Sequence, residues 1–242
     1  MPIIEAHTAV RPPLRAPVAP LRFAMNHMPP LPAALPGLRE AERPQRPPAR
    51  AVWLTGLSGA GKTTLAHALE ASLQRDGLRA CVLDGDRLRA GLSSDLGFTD
   101  ADRAESIRRA AHVARLFVDA GMVAIVALIS PFRAERAAAR ALFAPGDFIE
   151  VYVNVPLAVA EERDPKGLYR RARSGALPRF TGIDSPYEPP GAPVLELRTD
   201  VLPVAECVER LRAQLGLAPS PRPSPRVLYA TVATPGAGPE TS

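Results

Sequence analysis

Residues 56–63 of this 242-residue chain fill every fixed position of the phosphate-binding loop G-x-x-x-x-G-K-[ST]. An apolar segment, 51–55, precedes the loop, and helix-forming residues follow it from Thr64 onward. A strand, a glycine turn and a helix start, in that order, would surround a triphosphate with backbone N–H groups and the positive end of a helix. The alternative is a glycine-rich turn that binds nothing, but the intact flanking pattern favours a nucleotide site.

The residue types inside the loop predict individual roles. Glycine allows backbone angles that are closed to other residues, so the chain can approach the phosphates closely. Lys62 would reach the β- and γ-phosphates, and the Thr63 hydroxyl would ligate Mg²⁺. We therefore predict ATP and Mg²⁺ as cofactors, with ATP contacts from Gly56, Leu57, Ser58, Gly59, Ala60, Gly61, Lys62, Thr63 and Thr64.

Lysine is scarce in this chain. Of 30 basic residues only Lys62 and Lys166 are lysines, and the others are arginine. Such a bias indicates that these two sites need a compact ammonium on a flexible stem instead of a planar guanidinium. The phosphate-binding loop explains why position 62 is a lysine. For position 166 the alternative is that a lysine remains there by chance.

Proline and charge divide the chain into three parts. Residues 1–50 hold 12 of the 28 prolines, and residues 216–242 hold 6. Proline removes amide donors and fixes φ, so we predict flexible tails at 1–50 and 216–242 around one globular domain, 51–215. The first 50 residues also contain seven arginines and three glutamates, and this net +4 accounts for most of the overall +5. The high isoelectric point therefore describes a tail, and no nucleic-acid partner is expected.

Other compositional features narrow the class of protein. Cys81 and Cys207 offer neither a disulfide framework nor metal-ligand spacing, and we expect both to be core residues. No run of 18 apolar residues is present to cross a membrane, so we expect no membrane partner and a cytoplasmic location.

Apolar strand candidates alternate with helical patterns through the central domain. This alternation predicts an α/β fold, a parallel sheet with helices on both faces, and the phosphate-binding loop after the first strand makes it a fold of the P-loop nucleoside-triphosphate kinase type. Ligands then bind beyond the carboxyl ends of the strands. The predicted strands are 51–55, 79–83, 122–128, 148–153 and 194–197, and the predicted helices are 62–75, 102–120, 133–142, 157–163 and 203–215.

Polar residues do follow the predicted strands. Asp84 and Asp86 come after the second strand, where carboxylates can ligate Mg²⁺ or orient an attacking hydroxyl, and Arg89 could hold an anionic acceptor. The alternative is an ordinary Asp-Gly turn. Ser130 follows the third strand and could be a nucleophile, a phosphate contact or a helix cap; with no neighbouring base in the sequence, we favour a cap that also touches phosphate.

The stretch 163–182 is strongly basic. Placed over a phosphate-transfer site, it would suit a closing lid that supplies positive charge and excludes water. Gly167, Gly175 and Gly182 are points where such a lid could bend. A solvated basic helix is the alternative.

Taken together, the motifs resemble the adenylylsulfate kinase family. The match is collinear over about 51–215, and several motifs are typical of that family in particular. They are GLSGAGKTT (56–64), LDGD (83–86), DLGF (95–98), ISPFRAER (129–136), DPKGLY (164–169) and FTGIDSPYE (180–188).

The resemblance implies transfer of the ATP γ-phosphoryl to the 3′-hydroxyl of adenylyl sulfate, within sulfate assimilation. It implies Lys62, Asp84, Ser130 and Lys166 as catalytic residues, with Thr63 and Asp84 at the metal and Ser130 as a candidate phosphoserine. Phe98 and Phe180 would stack on the acceptor adenine. The implied substrate-binding set is Asp86, Arg89, Phe98, Arg103, Ser106, Ile129, Lys166, Leu168, Phe180, Thr181 and Gly182.

Resemblance also implies a homodimer and a possible association with ATP sulfurylase. The chain departs from the family pattern at two positions, where Arg87 and Ser106 stand in place of asparagines. Serine has one hydroxyl where asparagine has both an amide donor and a carbonyl acceptor, so acceptor binding could be weaker. The alternatives to an active kinase of adenylyl sulfate are a nucleotide-sensing domain without turnover and a kinase for a related nucleoside phosphate.

Overall fold

The computed structural model describes residues 49–219, and a five-stranded sheet forms its centre. Its strands lie in the order β2-β3-β1-β4-β5, and every pairing is parallel. The predicted strands are confirmed to within one residue at each end. They are β1 (Ala51–Thr55), β2 (Ala80–Asp84), β3 (Val123–Ala127), β4 (Phe148–Asn154) and β5 (Leu195–Arg198).

Helices connect the strands and cover both faces of the sheet, as predicted. Alternate residues of a strand point to opposite faces. Val52 and Leu54 of β1 accordingly lie in one hydrophobic core, while Ala51 and Trp53 lie in the other. The helices are α1 (Lys62–Arg75), α2 (Gly85–Ala90), α3 (Asp100–Asp119), α4 (Arg133–Arg140), α5 (Leu157–Arg163), α6 (Leu168–Arg173) and α7 (Val204–Gln214).

The two cores separate the helices into two layers. Residues of α1 and α7 complete the core that contains Val52, and residues of α3 and α4 complete the core that contains Trp53. Strand β3 is buried along its whole length because it lies between these layers. The carboxyl ends of all five strands therefore meet at one edge, which is where the loops carry the polar residues.

Two short helices, α2 and α6, are missing from the sequence prediction. Each has six residues, too few to show an amphipathic period, and each begins at or just after a glycine. The alternative interpretation of 84–85 as an ordinary Asp-Gly turn is wrong. Asp84 instead caps α2, with its Oδ1 accepting a hydrogen bond from the Asp86 N–H at 2.9 Å.

The expectations for the cysteines, for membrane-spanning helices and for the tails have different outcomes. Cys207 is buried as expected, whereas Cys81 is partly exposed on the edge strand β2. Within residues 49–219 no helix is long and apolar enough to cross a bilayer. Most of each predicted tail lies outside the described residues, so the domain limits stay a prediction.

Candidate active site

A cavity of about 850 Å³ opens at the carboxyl ends of the strands and gathers most of the predicted site. It is lined by Ser58, Gly59, Gly61, Lys62, Thr63, Thr64, Asp84, Asp86, Arg89, Phe98, Arg103, Ser106, Ile129, Ser130, Lys166, Leu168, Phe180 and Thr181. Four predicted residues do not line it. Gly56 and Ala60 belong to the inner side of the loop, and Leu57 and Gly182 line a second, shallow pocket.

Close packing beneath the phosphate loop requires its glycines. A Cβ atom on Gly56 would lie 2.3 Å from the Val153 carbonyl oxygen, and one on Gly59 would lie 2.8 Å from the Ala160 carbonyl oxygen. Gly61 stands at the start of α1 with φ of 93°, and no side chain caps that helix. The first amides of α1 are thus left without a side-chain partner at an edge that suits an anion.

Lys62 lies folded into the loop, 8% exposed. Its Nζ donates to the Gly56 carbonyl at 2.9 Å and to the Leu57 carbonyl at 2.7 Å. Burial lowers the pKa of Lys62 to about 7; Asp84 opposes this shift and Lys166 adds to it. The loop therefore holds an amine whose charged form a bound phosphate would stabilise.

The two carboxylates after β2 have different environments. Asp84 is buried, and its Oδ2 accepts a hydrogen bond from Thr63 Oγ1 at 2.6 Å. Asp86 is largely exposed and pairs with Lys166, which extends from the basic segment. Asp84 thus connects the phosphate-binding loop with the end of β2. Asp86 connects the start of α2 with the basic segment through Lys166.

Aromatic and basic side chains form the opposite end of the cavity. The Arg89 guanidinium lies over the Phe98 ring at 4.4 Å from its centroid. Phe98 is 56% exposed, whereas Phe180 is buried and packs edge-on against Tyr169. The two rings that the resemblance pairs therefore have unlike surroundings, although both line the same cavity.

Arg103 connects the two segments that carry those rings. Its Nε donates to the Phe98 carbonyl at 3.2 Å, and its Nη1 donates to Thr181 Oγ1 at 2.6 Å. A further hydrogen bond runs from Nη2 to the Arg179 carbonyl. Burial is the main cause of a lowered pKa for Arg103, which still keeps a guanidinium charged at neutral pH.

The helix-capping prediction for Ser130 is wrong. Helix α4 begins at Arg133, Phe132 occupies the cap position, and no side chain caps it. Ser130 is buried with φ of 40°, and its Oγ accepts a hydrogen bond from Trp53 Nε1 at 3.1 Å. Pro131 and Phe132 lie between Ser130 and the first residue of α4, and the hydroxyl pairs with Trp53 of β1 instead of the helix.

Neighbouring Ile129 is held by its carbonyl, which accepts from Thr55 Oγ1 at 2.7 Å. Ser106 of α3 is also buried, and its Oγ donates to Ser93 Oγ at 3.3 Å. Ser106 therefore reaches the cavity wall but already has a hydroxyl partner.

Family comparison decides between the kinase classes that this geometry allows. Residues 49–198 match the model of the family described as adenylylsulphate kinase. The chain belongs to the adenylylsulphate kinase family. With the P-loop fold and the loop geometry, membership of this family identifies an ATP-dependent kinase.

Individual relatives agree with that family. An adenylyl-sulfate kinase of Burkholderia ambifaria is 60% identical over 166 residues, which cover 69% of this chain and 92% of the relative. Another, from Geotalea daltonii, is 58% identical over 162 residues, or 67% of this chain and 80% of the relative. The structure of the Mycobacterium tuberculosis APS kinase in complex with AMPPNP and APS has 48% identity and a TM-score of 0.68, covering 70% of this chain and 99% of that one.

Four cavity residues after β5 were not predicted as site residues: Thr199, Leu202, Val204 and Cys207. Arg163, the first residue of the basic stretch, approaches them from α5. Thr199 Oγ1 donates to the Ala60 carbonyl at 2.8 Å, and Arg163 Nη2 donates to the Thr199 carbonyl at 2.7 Å. The rule that ligands bind beyond strand ends applies to β5 as well, and would have indicated residues 199–202.

Proposed function

We propose that this chain transfers the γ-phosphoryl group of ATP to the 3′-hydroxyl of adenylyl sulfate, giving 3′-phosphoadenylyl sulfate and ADP in the cytoplasm. The observation that carries the proposal is a single cavity with two chemically different ends. One end is a phosphate loop, and the other combines flat aromatic faces with Arg89 and Arg103. These features suit a triphosphate at one end and an aromatic, anionic acceptor at the other.

Positioning and charge supply most of the catalysis in this proposal. Lys62 neutralises the charge that builds on the transferring phosphoryl group, and Lys166 adds positive charge from above the site. Arg89 and Arg103 hold the phosphosulfate, while Phe98 and Phe180 bind the acceptor adenine. The remaining loop residues and the residues after β5 hold ATP.

A magnesium ion fits the oxygen atoms at the loop. Thr63 Oγ1 and Asp84 Oδ2 lie 2.6 Å apart, and both are hard oxygen donors of the kind that Mg²⁺ takes. Within residues 49–219 no group of three or more His, Cys, Asp or Glu forms a dedicated metal site, which suits an ion bound mainly through the nucleotide's phosphates. When bound, Mg²⁺ supplies charge neutralisation at the phosphates.

Direct transfer is the preferred route, with no phosphoserine. Among the hydrogen bonds of Ser130 in the described part of the chain, none goes to an imidazole or a carboxylate that could activate it.

We also propose, from the family resemblance, that the chain forms a homodimer and associates with ATP sulfurylase. Size-exclusion chromatography with light scattering tests the dimer, and a mass near that of one chain would contradict it.

ADP release measured with different acceptors tests the proposed function. Adenylyl sulfate is expected to give a kcat/KM at least about tenfold above that of AMP, because AMP lacks the sulfate and the loss of one charged contact to it costs about 1.4 kcal/mol or more. A higher value with AMP would favour a kinase for a related nucleoside phosphate. Nucleotide binding without turnover on any acceptor would favour the nucleotide-sensing alternative.

A further inference from the structure

Tyr169 is the buried aromatic residue of α6, a helix whose arginines are exposed. It is 2% exposed, whereas Lys166, Arg170 and Arg171 around it are exposed. Its ring meets the Phe180 ring edge-on, with centroids 4.9 Å apart at 84°. Its hydroxyl donates to the Ser58 carbonyl at 3.0 Å. One side chain thus contacts both the phosphate loop and the aromatic end of the cavity.

The start of α6 fixes this placement. Asp164 accepts hydrogen bonds from the N–H groups of Tyr169 and Arg170, each at 3.1 Å, and Gly167 turns the chain with φ of 64°. Burial raises the pKa of Tyr169 to about 12, so the phenol keeps its proton and can donate at neutral pH. Tyr169 therefore anchors the basic segment to the phosphate loop in this conformation.

The hydrogen bond to Ser58 has a consequence for the loop amides. In a trans peptide the carbonyl and the following N–H point in opposite directions, and no described peptide bond is cis. Anchoring the Ser58 carbonyl toward Tyr169 directs the Gly59 N–H away from α6. Gly59 lines the cavity, so its amide is one of those available to a phosphate.

We propose that Tyr169 is a positioning residue that couples occupancy of the phosphate loop to binding at the acceptor end. A nucleotide that orders the Ser58–Gly59 peptide fixes the partner of the Tyr169 hydroxyl, and the ring then holds Phe180 against the acceptor. This inference rests on the proposed function. By linkage, the acceptor must strengthen nucleotide binding by the same factor.

The test is the variant Tyr169→Phe, which keeps the ring and removes the hydroxyl. Dissociation constants are measured by calorimetry for AMP-PNP and for adenylyl sulfate, each alone and with the other saturating. The coupling factor is the ratio of the two constants for one ligand. We expect it to exceed one in the wild type and to fall about 2- to 12-fold in the variant, the range for one ordinary hydrogen bond. The affinity for each ligand alone should change by less than the coupling factor does, because a bound phosphate can itself orient the Ser58–Gly59 peptide.

Tyr152→Phe is the matched control. Tyr152 stacks on Tyr187, with centroids 5.9 Å apart, and does not line the cavity, so its loss of a hydroxyl should leave the coupling factor unchanged. An unchanged factor in Tyr169→Phe, or equal losses of both affinities, would overturn the proposal and leave Tyr169 as a packing residue. A wild-type factor of one would do the same. A wild type that binds no adenylyl sulfate would overturn this inference together with the proposed function.

Discussion

At the scale of single residues, burial of the Lys62 ammonium connects nucleotide binding with pH. Its pKa of about 7 means that Lys62 in the free protein is mostly neutral above pH 7, whereas the ammonium is the form that pairs with phosphate. We therefore expect nucleotide binding to take up a proton above pH 7. The affinity for ADP should fall by up to about tenfold per pH unit between roughly pH 7.5 and 9.5.

Calorimetry in two buffers with different ionisation enthalpies measures this proton uptake. Lys62→Met is the control, and it should bind ADP more weakly with little proton uptake. A wild-type affinity that stays constant over the same pH range would contradict the account of a neutral buried lysine.

Ser130 offers a second test at this scale. Ser130→Ala removes the acceptor of the Trp53 N–H and leaves that buried donor unsatisfied, which should cost about 1–3 kcal/mol of unfolding free energy. Turnover should remain measurable, because direct transfer does not use the hydroxyl. Urea unfolding and steady-state turnover measure both effects, with Ser174→Ala at an exposed hydroxyl as control. A phosphoenzyme that forms with ATP alone and passes its phosphoryl group to the acceptor at the turnover rate would contradict direct transfer.

Ser106 tests the departure from the family pattern. Asparagine at this position is longer and adds an amide donor, so Ser106→Asn should reach past Ser93 and tighten acceptor binding by about 0.5–1.5 kcal/mol. The ATP constant should hardly change, because Ser106 is not part of the loop. Paired steady-state titrations measure both constants, and Ser106→Ala should not tighten acceptor binding. If Ser106→Asn leaves the acceptor constant unaltered, this part of the account is wrong.

Local motifs made much of the residue-level site predictable. The loop spacing identified Lys62 and Thr63, and the position after the second strand identified Asp84. The partners of Ser130 and Tyr169 could not be predicted, because Trp53 and Ser58 lie 77 and 111 positions away in the sequence. No local pattern encodes contacts of that kind.

At the scale of secondary-structure elements, one buried ion pair holds the turn after β3. Arg136 of α4 donates from Nε to Glu150 of β4 at 2.8 Å and from Nη1 to the Ser130 carbonyl at 2.6 Å. A third hydrogen bond runs from Nη2 to the Glu188 carbonyl at 2.7 Å. The pair therefore fixes α4, β4 and the turn that lines the cavity to one another.

Arg136→Met should cost about 3–5 kcal/mol of unfolding free energy, because it leaves a buried carboxylate without its inner partner. Arg140 also pairs with Glu150 but is far more exposed, so Arg140→Met should cost no more than about 1 kcal/mol. Urea unfolding of both variants makes the comparison. Equal losses would mean that Arg136 is not the principal anchor of this turn.

Element length explains only part of which helices the sequence predicts, because α5 has seven residues and is still predicted at its observed bounds. Helices α1, α3 and α7 have 11 or more residues and show a repeating apolar face, so they are predicted to within two residues at each end. Helices α2 and α6 have six residues; Asp84 caps α2, and Asp164, four residues before α6, accepts hydrogen bonds from the N–H groups of Tyr169 and Arg170. Both carboxylates lie within six residues of the N–H groups that they bond, so these signals are local, but a six-residue helix shows no amphipathic period to accompany them.

At the scale of the whole molecule, the chain combines a P-loop sheet with an acceptor end built from α2, α3 and the segment after α6. Alternation of strands and helices was enough to predict the sheet and the edge at which ligands bind. The acceptor's chemical identity rests on family membership and on Arg89, Phe98, Arg103 and Phe180. Physical reasoning about the fold alone stops at an ATP-using kinase.

Product analysis tests the central claim most directly. Purified protein is incubated with ATP, magnesium and adenylyl sulfate, and the products are followed by phosphorus NMR and mass spectrometry. The account predicts a new phosphomonoester on the 3′-oxygen of adenylyl sulfate, formed in equal amount with ADP. ADP without that phosphomonoester, or a phosphoryl group attached at another position, would contradict it.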